Sequence, residues 1–356
     1  MKKLVVLLLA LCLFFTMASC GGEESSGSAG QSSEQAQSGT SGGSGVIEKT
    51  GVGKTVGVAS LHLVNDWNNY ATEAIKAYLE PRGYEVIHTN AQDSTSQMVR
   101  DVENLIARKV DGIIIAGGEA HAFMELSTRA KNAGIKVIGM DMFLPGASSG
   151  VGADNYTGGT LIGQFMVNRM QGSGKYIILN SPGWQSLTIR KRMATAVFED
   201  FPEMVNIGEF EVAGDPVQIG YDTVRAVVRN HPDLKGVLCT WGLPCIGAAR
   251  AVQELGLQAQ ICVVSADSDR VVMEKMAEGD APKMGNIGQD PRKNGEIAAA
   301  MVDIAINKGD AGMSKMVFAP TLMVSNVDPI ADFPEIERTN MRDLWDRVYT
   351  DEKREF

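Results

Sequence analysis

A chain of 356 residues, 44% hydrophobic and 21% charged, is long enough for two core-bearing units and too long for a small disulfide-stapled scaffold. Its formal charge of −10 becomes two units more negative without Lys2 and Lys3, a poor footing for binding nucleic acid. The five cysteines form no CxxC pair, and the four histidines, His62, His88, His121 and His231, fall at no zinc spacing, so neither a metal site nor a cofactor is expected.

Lys2 and Lys3 precede the apolar run Leu4 to Phe15, shorter than the roughly 20 residues that cross a bilayer. Small residues follow at Ala18 and Ser19, and residues 1–19 read as a signal peptide. Cys20 after Met17-Ala18-Ser19 resembles the lipobox of bacterial lipoproteins, with Met17 where that motif usually has Leu. The resemblance implies lipidation of Cys20 as the first mature residue; the bland alternative is an ordinary signal cleaved near Ala18. Residues 20–45 hold eight Gly and eight Ser, a composition that cannot bury enough apolar surface to offset its ordering entropy. Residues 20–53 therefore read as a tether between a lipid anchor and a folded unit.

From Lys54 onward, short β-branched runs alternate with segments of helical period, the signature of βα units around a parallel sheet buried on both faces. Strands are predicted at Thr55–Ala59, Glu85–Thr89, Gly112–Ala116 and Lys136–Gly139, with helices near Tyr70–Glu80, Ser94–Arg108 and Ala120–Ala133. A second series begins after a join near Gly150–Asn155. It has helices at Gly158–Met170, Ser186–Glu199, Pro216–Arg229 and Ile246–Leu255, and strands at Tyr176–Leu179, Asn206–Glu211, Gly236–Cys239 and Ile261–Ser265. Strand Lys283–Ile287, helix Gly295–Asn307 and the extended run Thr321–Asn326 follow. In the tail, Met341, Leu344, Trp345 and Val348 share one helical stripe, which reads as a docked cap.

Two motifs are decoys. Gly53-Lys54-Thr55 looks like the end of a phosphate loop but precedes a strand instead of following one. Gly146-Ala147-Ser148-Ser149-Gly150 matches GxSxG without the strand-turn-helix setting of a nucleophile elbow. Cys239 and Cys245 are six residues apart across a strand-to-helix turn, a spacing that leaves a disulfide open.

In open α/β sheets ligands bind beyond the carboxyl ends of the strands. The first strand leads to Asn65, Asp66, Trp67 and Asn68, the fourth to Asp141, and the Tyr176 strand to Trp184, Arg190 and Arg192; later strands lead to Trp241, Asp267 and Gln289. Carboxylates and amides accept from hydroxyls, Arg donates, and an indole face covers the C–H face of a sugar ring. Taken singly, an Asp after a strand often only caps a helix, and Trp is more often core than platform. Their joint placement carries the reading.

Residues 54–326 resemble the type I periplasmic substrate-binding proteins of the ribose-binding group, two-lobed proteins that deliver sugars to ABC importers. The resemblance is carried, in order, by Asn90-Ala91-Gln92-Asp93, Arg108 to Ile115, Val137-Ile138-Gly139-Met140-Asp141, Val151-Gly152-Ala153-Asp154-Asn155, Arg190-Lys191-Arg192, Val264-Ser265-Ala266-Asp267 and Ile287-Gly288-Gln289-Asp290-Pro291. It implies an α/β fold of two doubly wound, Rossmann-like parallel-sheet lobes joined by a three-strand hinge. The lobes would comprise residues 54–153 plus 290–316 and 154–289 plus 317–331, with a helical tail at 332–356. Crossings would fall near Ala153–Asn155, Asn286–Gln289 and Met316–Ala319. It further implies that Asp141, Arg192, Asp267 and Gln289 bind sugar hydroxyls, that Asn65 takes the place of the family's Asn after the first strand, and that Trp67 is one of two stacking aromatics. Asn68 and Arg190 complete the candidate set with two departures: Met142 where the group has Arg, and Trp241 where it has Asn. Both enlarge the apolar share of the pocket and point away from ribose.

The expected function is a lipid-anchored, extracytoplasmic and monomeric solute-binding protein. It would close its lobes on a small sugar or polyol and present the closed form to an ABC permease, with no bond made or broken. A sensor of the same fold that feeds a chemoreceptor or histidine kinase is the alternative, separable by neighbouring genes. A secreted serine hydrolase built on residues 146–150 has no positioned base, and turnover assays would expose it. No nucleic-acid partner is expected.

Overall fold

The structure is a computed structural model in which residues 47–63 and 66–327 are described. The expected signal segment, Cys20, residues 20–46 of the tether, Asn65 and the tail at 332–356 lie outside the described residues.

The chain begins β1 (Thr55–Ser60), α1 (Asp66–Leu79), β2 (Glu85–Asn90), α2 (Thr95–Ala107), β3 (Gly112–Ala116), α3 (Ala120–Asn132), β4 (Lys136–Met140), β5 (Ser149–Ala153). It continues α4 (Asn155–Met170), β6 (Gly174–Asn180), α5 (Gln185–Phe198), β7 (Met204–Glu211), α6 (Pro216–Asn230), β8 (Leu234–Cys239), α7 (Gly242–Glu254), β9 (Cys262–Ala266), α8 (Arg270–Ala277), β10 (Lys283–Gln289). It then returns through α9 (Pro291–Lys308), β11 (Val317–Ala319) and β12 (Thr321–Ser325). One sheet runs β11-β5-β4-β3-β1-β2 and the other β12-β10-β9-β8-β6-β7, so the two orders match position for position. All pairings are parallel except β10 with β12.

Gly-Ile-Ile-Ile-Ala in β3 and Cys-Val-Val-Ser-Ala in β9 are buried at every position, as central strands covered on both faces must be. Met98, Leu105 and Phe123 from α2 and α3 pack one face of the first sheet; Ile75, Leu79 and Val302 from α1 and α9 pack the other. In the second lobe Val224, Val252 and Met276 from α6, α7 and α8 face Ile162, Met166 and Phe198 from α4 and α5 across the sheet. Contact between α4 and α5 is close enough that a Cβ at Gly159 would lie 2.6 Å from the Arg190 carbonyl, so glycine there sets how near α5 comes.

Among the described residues three segments cross between the lobes. Asp154 links β5 to α4 and Asp290 links β10 to α9. Each caps the helix it starts, accepting from Thr157 N–H at 3.0 Å and from Lys293 N–H at 2.9 Å. The third crossing is Pro320, between β11 and β12. Residues 317–319 were expected in the second lobe, but β11 pairs in parallel with β5 and belongs to the first. Two further elements differ from expectation. β5 is a strand despite its Ser-Gly-Val-Gly-Ala sequence, because its neighbours β4 and β11 bury it completely. The eight-residue α8 has too few turns to show a period. Ser148 of the GxSxG segment leads into β5 rather than a helix, and its hydroxyl donates to Asp310 at 2.8 Å. Cys239 and Cys245 are free thiols in the second core.

Candidate functional site

A cavity of about 430 Å³ lies where the carboxyl ends of both sheets converge. Nearly every parallel strand delivers a lining residue within four positions of its end. From the first sheet come His62, Asp93, Gly117 and Asp141; from the second come Trp184, Glu211, Trp241, Asp267 and Gln289. Helix starts add Trp67 and Asn68 from α1 and Ser186 and Arg190 from α5. All three tryptophans among the described residues line this one cavity.

Asp141 and Asp267 end equivalent strands, β4 and β9, in the left-handed backbone region at φ +58° and +103°. The Asp141 N–H reaches the Val151 carbonyl at 2.7 Å and the Asp267 N–H the Ile287 carbonyl at 2.9 Å, so in each lobe the neighbouring strand holds the turn. Such a conformation costs about 1 kcal/mol or more in a non-glycine residue and is held by its surroundings, a feature that concentrates at ligand clamps.

Arg190, 3% exposed, is the hub of the polar network. Its Nε donates to Asn155 Oδ1 at 2.7 Å, and its Nη1 reaches the Thr240 carbonyl and Asp267 Oδ1, both at 3.0 Å. Gln289 Nε2 donates to the same Asp267 oxygen at 2.7 Å, while its Oε1 accepts from Trp67 Nε1 of the other lobe at 2.9 Å. A second set of cross-lobe bonds exchanges helix caps. Asp66, at the start of α1, accepts from the backbone N–H of Arg270 in α8 at 3.1 Å, and Asp269, just before α8, accepts from the backbone N–H of Trp67 in α1. Each helix terminus thus has its positive end covered by a carboxylate of the opposite lobe.

Burial raises the carboxyl pKa of Asp141, against the opposing pull of Arg190. Burial pushes Asp267 up to about 6, with Arg190 pulling down and Asp141 pushing up. Asp269 is pushed up to about 8 by burial and by the charges of Asp267 and Asp66. Burial lowers the pKa of His62, leaving its imidazole uncharged at neutral pH. Three buried polar atoms of lining residues, Asp141 Oδ1, Trp241 Nε1 and Asp269 Oδ1, have no hydrogen-bond partner among the described residues. Among those residues no group of His, Cys, Asp and Glu is placed to hold a metal ion, and no helix is long and apolar enough to cross a membrane.

Of the candidates read from sequence, Trp67, Asn68, Asp141, Arg190, Trp241, Asp267 and Gln289 come together in the cavity. Two do not. Arg192 is exposed on α5, because Ser186, Arg190 and Ala194 repeat every four residues on the inward face and a residue two positions on from Arg190 points away from it. Met142 is 1% exposed and packs with Phe123 and Leu144 in the first core, the chain having turned back at Asp141. Its side chain does not take the place of a ligand-facing arginine. Asn65 lies outside the described residues. Sequence reasoning passed over His62, Asp93, Glu211 and Asp269 as site residues. The signal for Asp93 and Glu211 was present, since each stands at or just beyond a strand end. Asp269 sits two residues past Asp267 and has the look of an ordinary helix cap.

Residues 56–310 match the family described as Periplasmic binding protein domain. A D-ribose/D-allose-binding protein of Pseudomonas aeruginosa is 26% identical over 231 residues, 61% of this chain and 72% of its own length. A xylitol-binding protein of Mycolicibacterium smegmatis is 23% identical over 82% of this chain and 83% of the relative. Among solved structures, an ABC sugar transporter subunit from Rhodobacter sphaeroides, 25% identical, superposes with a TM-score of 0.73 over 77% of this chain and 98% of that one. The strand-end cavity between two matched lobes and the family match over residues 56–310 lead to one conclusion: the chain belongs to the periplasmic binding protein domain family and is an extracytoplasmic binding protein, not an enzyme.

Proposed function

We propose that this protein captures a small sugar or polyol between its lobes and hands it to an ABC importer, working as a monomer tethered to the membrane through lipidated Cys20. The observation that carries the ligand class is the cavity lining. Three tryptophans line it, and Asp141 Oδ1, Trp241 Nε1 and Asp269 Oδ1, buried and without a partner among the described residues, offer an indole donor and two carboxyl oxygens. A hydroxyl both donates and accepts, so a polyhydroxylated ring or chain satisfies such a mixed set where a hydrocarbon leaves it unpaired. The ribose, allose and xylitol named for the relatives belong to this class. Hydrogen bonds across the cleft, such as Trp67 to Gln289, support closure of the lobes around a ligand.

A thermal-shift screen against sugars and polyols tests the reading: a ligand at 100-fold its Kd stabilises the native state by about 2.7 kcal/mol. An unchanged melting temperature across the whole panel would overturn it. For the anchor, Cys20→Ala is expected to leave an unprocessed or freely released protein, and unaltered membrane attachment would refute lipidation.

A further inference from the structure

The cavity is lopsided in charge. Asp93, Asp141, Glu211, Asp267 and Asp269 line it, and among the described residues Arg190 is the one Lys or Arg in the lining. Asp93 and Glu211 stand at the exposed rim. The other three are deep, and Arg190 is already engaged by Asn155, the Thr240 carbonyl and Asp267. His62 adds no charge at neutral pH, since burial lowers its pKa.

Asp269 is the outlier. It is 3% exposed, one oxygen accepts from the Trp67 backbone N–H, and its Oδ1 has no partner among the described residues. A Cβ at Gly242, next to Trp241, would come within 3.2 Å of its Oδ2, so this carboxyl sits between the chain at Trp67 and the chain at Trp241. A neutral polyol gives this oxygen a hydrogen bond but leaves the excess of carboxyl groups in the lining unbalanced, whereas an ammonium group supplies both a hydrogen bond and the opposite charge. Indole faces attract cations. Among the described residues no group of His, Cys, Asp and Glu is placed to hold a metal ion.

We propose that the preferred ligand is a polyhydroxylated amine, an amino sugar or amino polyol, whose ammonium group pairs with Asp269 against the tryptophan faces while its hydroxyls reach Asp141 and Trp241 Nε1. This rests on the sugar-binding reading above and narrows it to a charge class.

Proton linkage follows from the same geometry. The groups that bear on Asp269 are Asp66 of α1, Asp267 beyond β9 and Arg190 of α5. Burial and the two carboxylates hold Asp269 up at about 8, so in the empty cavity it is protonated at neutral pH. An ammonium favours the ionised form, so binding releases a proton, and affinity for an amine that stays protonated rises with pH from about 6 to 8.

The test is calorimetric titration of the full-length protein with five- and six-carbon aldoses and alditols, each matched with its amino-deoxy counterpart, for example glucitol with glucamine and glucose with glucosamine. The amine member of at least one pair is expected to bind tenfold or more tightly than its neutral twin, with proton release detected in buffers of different ionisation enthalpy. Asp269→Asn should bring that ratio close to one while leaving the melting temperature at or above that of the parent. Neutral members binding as tightly as, or more tightly than, their amine twins would overturn the inference and leave the sugar reading standing. Binding by no member of any pair would overturn both. A tenfold ratio that persists in Asp269→Asn would remove Asp269 from the role assigned to it.

Discussion

Asp141 follows β4 in the first lobe and Asp267 follows β9 in the second. Both sit at positive φ, both are tied through their N–H to a carbonyl of the adjoining strand, and both line the same cavity. The chains then diverge. After Asp141 the first lobe turns inward and buries Met142 in its core, whereas after Asp267 the second lobe keeps Asp269 at the cavity wall. The second lobe also supplies Arg190, Trp184, Trp241 and Gln289, while the first offers Trp67, Asn68 and His62 beside its single deep carboxylate. One topology used twice has been given unequal chemistry: the second lobe holds the charged network, and the first closes an aromatic and amide surface over it. Breaking each half in turn should give unequal results.

The largest effect is expected at Arg190. Arg190→Ala leaves Asp267 and Asp141 without their shared cation in a buried setting, and breaking such a pair costs about 3–5 kcal/mol. Denaturant titration should show a midpoint shift of that size together with loss of ligand binding. A loss below about 1 kcal/mol would mean that the network of the second lobe is not what holds it together.

The matching insult to the first lobe is Met142→Arg. Placing a guanidinium beside Phe123 and Leu144 is expected to cost about 2–4 kcal/mol and to confer no affinity for pentoses. A stable variant with altered sugar preference would show that Met142 reaches the ligand after all.

This substitution marks where the sequence stops being legible. The two lobes, the strand-end site and the placement of Trp67, Asp141, Trp241, Asp267 and Gln289 follow from periodicity, from the rule that α/β sheets bind at their carboxyl ends, and from family resemblance. The direction of a side chain one or two residues past a strand does not. It depends on the φ of a single residue, as at Asp141, or on helical phase, which put Arg190 and not Arg192 on the inward face. The exchange of caps between Asp66 and Asp269 joins residues about two hundred positions apart and has no local signature at all. β5 was hidden because its glycines give a poor strand signal that tertiary burial overrides.

A smaller effect of opposite sign is expected at Asp269. Because its folded-state pKa is raised to about 8, the native state holds a proton that the unfolded chain releases above about 4. Ligand-free stability therefore falls as pH rises from about 4 to 8 and levels off beyond, with Asp267 adding the same sign up to about 6. Asp269→Asn removes that slope above pH 6 and should stabilise the empty protein at neutral pH by about 1–3 kcal/mol. Thermal melts at pH 5 and 8 decide it; an unchanged slope would mean that Asp269 titrates normally.

The smallest effect is expected where family resemblance pointed most directly, at Arg192. Its side chain is exposed on α5, its backbone carbonyl accepts the Thr195 hydroxyl at 3.1 Å in an ordinary helical contact, and it does not line the cavity. Arg192→Ala keeps a good helix former and removes one solvated charge, so stability should stay within about 0.5 kcal/mol and affinity for any ligand within about twofold. Set beside Arg190→Ala, two residues away on the same helix, the pair isolates helical phase from residue type. If Arg192→Ala weakened binding as much as Arg190→Ala, α5 would have to be rotated by about half a turn from its place here, and the charged network assigned to the second lobe would lose its hub.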